Sequence, residues 1–451
     1  MLTSFQKIIS CLFIVFCSLS NTFAQWQNVG QPGFSDGGVG YTSLAFSNTD
    51  EPYVVFKDYA HSGKASVMKF NGSSWVYVGQ PGFSASNVNY LYTTIAFSNT
   101  GDPYIAFRDN SNSNKATVMK FDGNSWVVVG QAGFTAGGAA YTTIKFSGNG
   151  TPYLAYVDDF NSNKASVMKF DGTTWVNVGS PAFSSGIISW ITFAFSNTDE
   201  PYVGFWDNTY GGKATVMKFD GTNWVIVGQP GFSAGEARDN SLAFNNSGEP
   251  FLAYSDYANS FKASVMKFDG TTWANVGPAG FTSTTAGFTK IAFNNGVPYL
   301  AYSANTTASV MKFDGTSWIH VGLPAFSAGA AQFISFAFNS VDEPYIAYED
   351  NANANKATVM KYVTPSGVND LPGFWDNISM YPNPASDFVK ISGLSGNTSV
   401  TVCDVTGRQL YFNQSPSTEL HIDTEKFLNG MYFVGVESKG EIRFRKLLIN
   451  R

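Results

Sequence analysis

The fold is decided by one stretch of the sequence, residues 64–79, which reads KASVMKFNGSSWVYVG. Two runs rich in apolar residues flank an Asn-Gly pair, and this arrangement predicts a tight β-hairpin. The stretch returns at intervals of about 49 residues, mostly with Asp-Gly at the turn. Three landmarks recur seven times each, namely the tryptophans Trp26, Trp75, Trp126, Trp175, Trp224, Trp273 and Trp318, the Val-Met-Lys-aromatic segments that start at Val67, Val118, Val167, Val216, Val265, Val310 and Val359, and the Pro-aromatic pairs that start at Pro52, Pro103, Pro152, Pro201, Pro250, Pro298 and Pro344.

Each repeat contains four short segments that alternate with turn residues. In the first repeat they are 41–47, 52–58, 64–70 and 75–79, and we label the predicted strands A to D in this order. Four antiparallel strands in about 49 residues are typical of one propeller blade. The sequence therefore predicts an all-β chain whose residues 25–362 form a seven-bladed β-propeller.

The ends of the repeat array indicate a closed ring. The array begins with a lone D-type segment, 26–30, and its last unit stops at strand C with Tyr362. The two fragments together make one blade, so we expect the N-terminal strand to close the propeller and to remove the exposed sheet edges. An open solenoid, the alternative, would need an atypical cap at each end.

The first residues and the composition indicate an exported protein. Lys7 precedes an apolar stretch at 8–18, and Thr22-Phe23-Ala24 offers small residues for cleavage, so residues 1–24 are predicted to be a signal peptide. No other stretch is apolar over the length of a transmembrane helix. With a net charge of −6 and no run of Lys or Arg, the chain is not expected to bind nucleic acid.

The repeats stop after Tyr362, and residues 363–376 read as a linker to a C-terminal domain at 377–451. Four short motifs follow in order, and alternating residues between them predict a small β-sandwich. This domain resembles the type A C-terminal sorting domain of the type IX secretion system. The resemblance implies passage through that secretion machinery, by way of the periplasm, to the outer cell surface or the medium. The motif residues are Tyr381, Pro382, Asn383, Pro384, Asp404, Gly407, Gly430, Tyr432 and Lys446.

Catalytic patterns are sparse in the sequence. His61, His320 and His421 fall in separate parts of the predicted fold, and only Cys403 follows the signal peptide. We therefore expect no metal site, no cofactor and no nucleophile–base pair. The propeller is expected not to be an enzyme, although a glycosidase pair of carboxylates is not excluded by spacing.

Several recurring residues are predicted to be structural. Strand B ends in Asp in six repeats, and Lys follows six residues later, as at Asp58 and Lys64; the sixth repeat has lost both. This joint loss predicts an ion pair across the B–C turn, worth roughly 0.2–1 kcal/mol, with a ligand site as the alternative. The strand C methionines are expected to pack between blades, and the Phe of each Gly-Phe-Ser segment, as at Phe34, is expected in the core.

The loops that vary between repeats carry the functional hypothesis. In a propeller the B–C and D–A loops share one face, and here they contain aromatic residues among Asn, Ser and Gly. Such loops on a rigid ring suit recognition of glycans or of other surface ligands. The alternatives are that the aromatic residues fill the central channel, or that the protein is a structural or protein-binding surface component. The candidate ligand-binding residues are Tyr41, Tyr92, Tyr141, Trp190, Phe288 and Phe333 at the start of strand A, and Tyr59, Phe160 and Tyr210 in B–C loops; Asp239 replaces the strand A aromatic in the fifth repeat.

Overall fold

The computed structural model describes residues 25–88, 93–363, 378–394, 398–404, 409–414, 418–438 and 441–450. The chain divides into two compact units, one formed by Gln25–Tyr362 and the other lying within Val363–Arg451. The predicted signal peptide and all but the first residue of the predicted linker lie outside the described residues. No helix in the described ranges is long and apolar enough to cross a membrane.

The first unit is the predicted seven-bladed propeller, in which each blade is a four-stranded antiparallel sheet. Blades 1 and 2 contain β2 (Val39–Phe46), β3 (Pro52–Asp58), β4 (Lys64–Phe70), β5 (Trp75–Tyr77), β6 (Thr94–Phe97), β7 (Pro103–Asp109), β8 (Lys115–Phe121) and β9 (Trp126–Val128). Blades 3 and 4 contain β10 (Ala139–Phe146), β11 (Pro152–Asp158), β12 (Lys164–Phe170), β13 (Trp175–Asn177), β14 (Ile188–Phe195), β15 (Pro201–Asp207), β16 (Lys213–Phe219) and β17 (Trp224–Ile226). Blades 5 and 6 contain β18 (Ala237–Phe244), β19 (Pro250–Asp256), β20 (Lys262–Phe268), β21 (Trp273–Asn275), β22 (Ala286–Asn294), β23 (Val297–Ala304), β24 (Thr307–Phe313) and β25 (Trp318–His320). Blade 7 contains β26 (Ala331–Phe338), β27 (Pro344–Asp350), β28 (Lys356–Val363) and, as its fourth strand, β1 (Gln25–Asn28).

One aromatic contact is repeated at every seam between blades. The strand D tryptophan donates its Nε1–H to a main-chain carbonyl of the preceding blade over 2.6–2.9 Å. The same ring stacks on the phenylalanine of the Gly-Phe-Ser or equivalent segment, as for Phe34 on Trp75 with centroids 4.0 Å apart. These phenylalanines pack against the buried clusters, although only Phe232 is itself buried and the others are partly buried, and they join neighbouring blades.

The ring closes through β1, as the sequence predicts. Val29 N–H donates to the Val359 carbonyl over 2.9 Å, the same bond that Val78 makes to Val67 within blade 1. Trp26 donates to the Val321 carbonyl over 2.8 Å, which makes the last seam equivalent to the others. Because the fourth strand of blade 7 comes from the other end of the propeller sequence, the ring is held shut by the same interactions that hold each blade.

The predicted ion pair across the B–C turn is wrong. Asp58 and Lys64 do lie opposite each other in the strand register. The Asp58 carboxylate, however, accepts hydrogen bonds from Ala60 N–H at 3.0 Å and from Ser66 Oγ at 2.7 Å. Ser66 Oγ in turn accepts from Gly82 N–H at 2.8 Å. The repeated aspartate is therefore a buried cap that connects the B–C turn to the next D–A loop.

Blade ion pairs occur instead between strand C and the A–B turn. Lys69 Nζ lies 2.9 Å from Glu51 Oε1, and the same pair occurs in blades 4, 5 and 7. The strand C methionines are buried, and Met68 belongs to a hydrophobic cluster that includes Val359 of blade 7. The prediction that they pack between blades is confirmed.

The C-terminal unit is a small β-sandwich. One sheet contains β29 (Ser379–Tyr381), β30 (Phe388–Ser392) and β33 (Glu419–Asp423). The other contains β32 (Gln409–Gln414), β31 (Thr398–Asp404), β34 (Gly430–Ser438) and β35 (Glu441–Ile449). Val389 and Ile422 of the first sheet pack with Val402 and Val434 of the second in one buried cluster.

Candidate ligand-binding face

Strand A begins with a β-bulge in each of the six blades whose strand A is described in full. In blade 1, Tyr41 and Thr42 together oppose Phe56, because the register shifts between Gly40 and Ser43. The first bulge residue has a left-handed backbone in each of these blades, a conformation that costs of the order of 1–3 kcal/mol for a bulky residue. These residues, with φ from 48° to 56°, are Tyr41, Tyr141, Trp190, Asp239, Phe288 and Phe333.

These six residues lie at the start of strand A, the strand of each blade that lines the central channel. We call this set of six residues the collar. Tyr41 lies 4.3 Å from Phe333 between ring centroids, and Phe333 lies 5.2 Å from Phe288. On the other side, Tyr141 lies 6.3 Å from Trp190. The structure therefore brings together the predicted strand A residues, each of them half-buried. Tyr92, the predicted equivalent in blade 2, lies outside the described residues.

Asp239 gives the collar a single carboxylate. Its Oδ2 accepts a hydrogen bond from Phe288 N–H over 2.9 Å. Burial raises the pKa of Asp239 above its ordinary value, although this N–H and the charges of Lys290 and Arg238 oppose the shift. Burial and the nearby Asp239 raise the pKa of Tyr141 to about 12. Polar and aromatic groups thus meet at the same end of the channel.

A second group of side chains flanks the collar on blades 4 and 5, and we call it the arginine cluster: Trp206, Glu236, Arg238 and Phe261 around Trp190. Arg238 Nε and Trp206 Nε1 both donate to Glu236 Oε1, over 2.9 and 3.0 Å. The Arg238 guanidinium lies 5.7 Å from the Trp190 centroid and 5.3 Å from that of Phe261. Trp190 and Trp206 are 6.3 Å apart, edge to face.

Sequence reasoning missed the arginine cluster, although a signal for it was present. Trp206 stands directly before the strand B aspartate, where the other repeats have Lys57, Arg108, Val157, Ser255, Ser303 and Glu349. Arg238 and Asp239 likewise depart from the repeat at the start of strand A. The departure at Asp239 is already evident in the sequence, and a wider search for departures finds Trp206 and Arg238 as well, but the proximity of these residues depends on the ring geometry.

The predicted B–C loop residues are exposed but separate. Tyr59 is 54% exposed, Phe160 70% and Tyr210 38%. Each lies on a different blade, and in the described part of the chain no ring contact joins Phe160 or Tyr210 to the collar. Lys57 holds its ammonium 5.4 Å from the Tyr59 ring centroid. The collar and the arginine cluster are therefore the contiguous part of this face.

The remaining titratable groups do not gather at one point. His61 Nδ1 lies 2.8 Å from Asp58 Oδ2 in its own turn, and burial lowers the pKa of His320 on an outer strand. Burial alone raises the pKa of Glu349 to about 7. In the described ranges, no group of three or more His, Cys, Asp or Glu side chains could hold a metal ion.

The C-terminal motif residues connect strands of the sandwich. Asn383 Nδ2 donates to the Lys446 carbonyl over 2.8 Å, and Asn383 Oδ1 accepts from Leu448 N–H over 2.8 Å. The Tyr432 hydroxyl donates to the Leu428 carbonyl over 2.8 Å, and its ring is buried. Gly407 lies outside the described residues. The motifs thus hold the first and last segments of this domain together.

Residues 379–450 match the family model of the secretion system C-terminal sorting domain. The C-terminal domain is a type IX secretion sorting domain. The protein is consequently secreted or anchored at the outer cell surface. No curated protein sequence matches the chain.

The propeller resembles solved structures at low identity. One is PorZ of Porphyromonas gingivalis, described as an essential bacterial surface component of the type-IX secretion system, with a TM-score of 0.50 and 17% identity over 91% of this chain. The chain spans 59% of the length of PorZ. Another is a polysaccharide lyase, PL25 ulvan lyase, with a TM-score of 0.52 and 13% identity over 76% of this chain and 97% of that one. These similarities show the propeller fold.

Proposed function

We propose that this secreted propeller is a non-catalytic binding module whose collar and arginine cluster recognise a glycan. The observation that carries the proposal is the left-handed backbone beneath the collar. Glycine adopts this conformation without strain, whereas the bulges described here hold five aromatic side chains and one aspartate. Backbone strain of this kind concentrates at functional sites, so we infer that the collar side chains serve the function of the protein.

The chemistry of the face fits a saccharide. Trp190 and Tyr141 supply aromatic faces, and such faces pack against the C–H surface of a sugar ring. Beside Trp190, the Arg238–Glu236 pair offers both hydrogen-bond donors and acceptors for sugar hydroxyls. An apolar platform with a few fixed polar groups is the usual composition of a small-molecule site.

A propeller of this general kind can present a saccharide site. The ulvan lyase structure with a TM-score of 0.51 to this chain is bound to -[GlcA(1-4)Rha3S]-. At 13% identity the likeness shows the fold alone. It supports the proposal only by showing what the architecture can accommodate.

A second candidate function is a structural or protein-binding surface component. The observation that favours it is the close packing of Tyr41, Phe288 and Phe333, whose rings lie 4.3 and 5.2 Å from one another. Rings that pack on each other fill the mouth of the channel and offer less face to a sugar. In that case the exposed B–C loops, including Phe160, would carry the contacts with a partner protein.

The experiment that separates the two candidates is a glycan-array screen of the purified secreted chain. Trp190→Ala and Arg238→Ala are compared with Val341→Ala, a control at an exposed residue of an A–B turn on the opposite face. We expect a saccharide class that binds the wild type and the control but neither collar-side variant. Binding that survives both substitutions, or no saccharide binding at all, would reject the glycan site and favour a protein partner.

A further inference from the structure

An exposed tyrosine extends the arginine cluster away from the channel. Tyr257 is 56% exposed and is the first residue of the B–C turn of blade 5. Its ring centroid lies 5.1 Å from that of Phe261, edge to face. Phe261 is the last residue of the same turn, directly before strand C. The cluster therefore continues across blade 5, from the channel-lining strand A to the B–C turn.

Four side chains follow one another at nearly equal intervals along this direction. The Arg238 guanidinium, at the start of strand A of blade 5, lies 5.7 Å from the centroid of Trp190 in blade 4 and 5.3 Å from that of Phe261. Tyr257 comes next, 5.1 Å from Phe261. We call Trp190, Arg238, Phe261 and Tyr257 the stacking row. Each interval is comparable with the length of one monosaccharide unit in a chain.

Phe261 occupies a backbone position that other blades give to Gly or Asn. Its φ is 60°, in the left-handed region that is unfavourable for a bulky side chain. Its main chain is fixed there, because Phe261 N–H donates to the Asp256 carbonyl over 2.8 Å and the Phe261 carbonyl accepts from Ala286 N–H over 2.7 Å. Strain of this kind is typical of functional sites. The equivalent residues in the B–C turns of the same length, all with positive φ, are Gly63, Asn114, Asn163, Gly212 and Asn355.

The positive charge in the row is already paired. Glu236 accepts two hydrogen bonds from Arg238, from Nε over 2.9 Å and from Nη2 over 3.2 Å. These bonds are the main cause of the raised pKa of Arg238, to which Asp239 and Tyr257 also contribute. The Arg238 and Glu236 side chains are 41% and 21% exposed, so a ligand can reach both of them. An acidic sugar would have to displace Glu236, whereas the hydroxyls of a neutral sugar can bond with the intact pair.

We propose that the stacking row binds a neutral oligosaccharide as an extended chain. An inner sugar unit packs on Trp190, the next lies beside Arg238, and an outer unit packs on Tyr257, whose ring Phe261 holds in position. The chain thus leaves the mouth of the channel and crosses blade 5. This inference rests on the proposed glycan function and deepens it, since it gives the ligand a charge class and a length of at least a trisaccharide.

The test is a glycan array of ladders that run from monosaccharide to hexasaccharide, screened with the full secreted chain. The neutral ladders are cello-, manno-, xylo- and N-acetylchito-oligosaccharides, and oligogalacturonides are the acidic counterpart. We expect the wild type to bind a neutral ladder with an affinity that rises about tenfold from disaccharide to tetrasaccharide, because one more ring contact is made. Tyr257→Ala should bind the shortest members as the wild type does and should lose this rise.

A second variant separates ligand contact from folding. Phe261→Asn should fold, because Asn occupies this position in three other blades, and it should also lose the dependence on chain length. Val341→Ala, on the opposite face, should retain it.

Three results would overturn this inference and leave the proposed function standing. The first is an affinity that does not depend on chain length, and the second is a rise that both Tyr257→Ala and Phe261→Asn retain. The third is tighter binding of oligogalacturonides than of the neutral ladders. If no ladder binds, the inference is also overturned, and the other glycans of the array then decide on the proposed function.

Discussion

Substitution of Trp26 by Ala tests whether the N-terminal strand holds the ring closed in solution. The Trp26 side chain is 7% exposed, donates its Nε1–H to the Val321 carbonyl and stacks on Phe326 with centroids 4.5 Å apart. A second ring, that of Tyr362, lies 5.6 Å away. The substitution removes all of these contacts together and leaves a cavity at the seam between blades 6 and 7.

The expected loss follows from this burial. Truncation of a buried Trp to Ala typically lowers the free energy of unfolding by about 3–5 kcal/mol, and this figure includes the cavity. Trp175 offers a matched control within the chain, since it is also 7% exposed, donates to Val129 over 2.9 Å and stacks on Phe134 at 4.5 Å. If the closing seam is equivalent to an interior seam, Trp26→Ala and Trp175→Ala lose the same stability.

Urea unfolding of both variants and the wild type, followed by tryptophan fluorescence and circular dichroism, supplies the measurement. The two midpoints should fall together and well below that of the wild type. A Trp26 variant that unfolds like the wild type while the Trp175 variant is strongly destabilised would refute the closure argument. Deletion of Gln25–Asn28 should reproduce the Trp26 effect, since it removes β1 altogether.

Three further outcomes are expected. Burial raises the pKa of Glu349 to about 7, so its contribution to stability is present below about pH 4.5 and is lost as the pH rises through 7. The melting temperature of Glu349→Gln should therefore depend less on pH over this window than that of the wild type. Ultraviolet titration of Tyr141→Phe should lose one tyrosine equivalent from those that ionise near pH 12, which also include Tyr302; loss of an equivalent that ionises near pH 10 would contradict the burial of this phenol beside Asp239. Asp158→Ala should lower the free energy of unfolding by about 1.5–3 kcal/mol, since three hydrogen bonds end on this buried carboxylate; a change below about 0.5 kcal/mol would show that the cap is dispensable.

The architecture was predictable because the same information is repeated seven times. Landmarks such as Trp75 and Pro52 recur with nearly fixed spacing, so a strand that is wrongly assigned in one repeat is corrected by comparison with the other repeats. The ends of the array likewise contained the closing strand, because a D-type segment and an incomplete last unit complement each other. The sorting domain was recognisable from short motifs whose residues, such as Asn383, make specific hydrogen bonds.

The partners of individual polar groups could not be predicted in the same way. Asp58 faces Lys64 in the register, yet it bonds the turn and Ser66, and this choice depends on side-chain direction within a buried hairpin. Averaging over the repeats also hid the residues that depart from them. Arg238 and Trp206 each occur in one blade only, and their surroundings are formed by neighbouring blades, so the ring had to be assembled before their contacts were visible.

The order of strands in blade 7 has a mechanical consequence. The strand that leads to the sorting domain, β28, is not at the edge of its sheet, because β1 lies on one side of it and β27 on the other. In a copy anchored through its C-terminal side, tension along the chain would pull β28 in shear against two hydrogen-bonded neighbours. A propeller that finished on its outermost strand would instead be peeled open one bond at a time. Because β1 pairs with β28, the strand that bears the tension lies where the sheet resists force best.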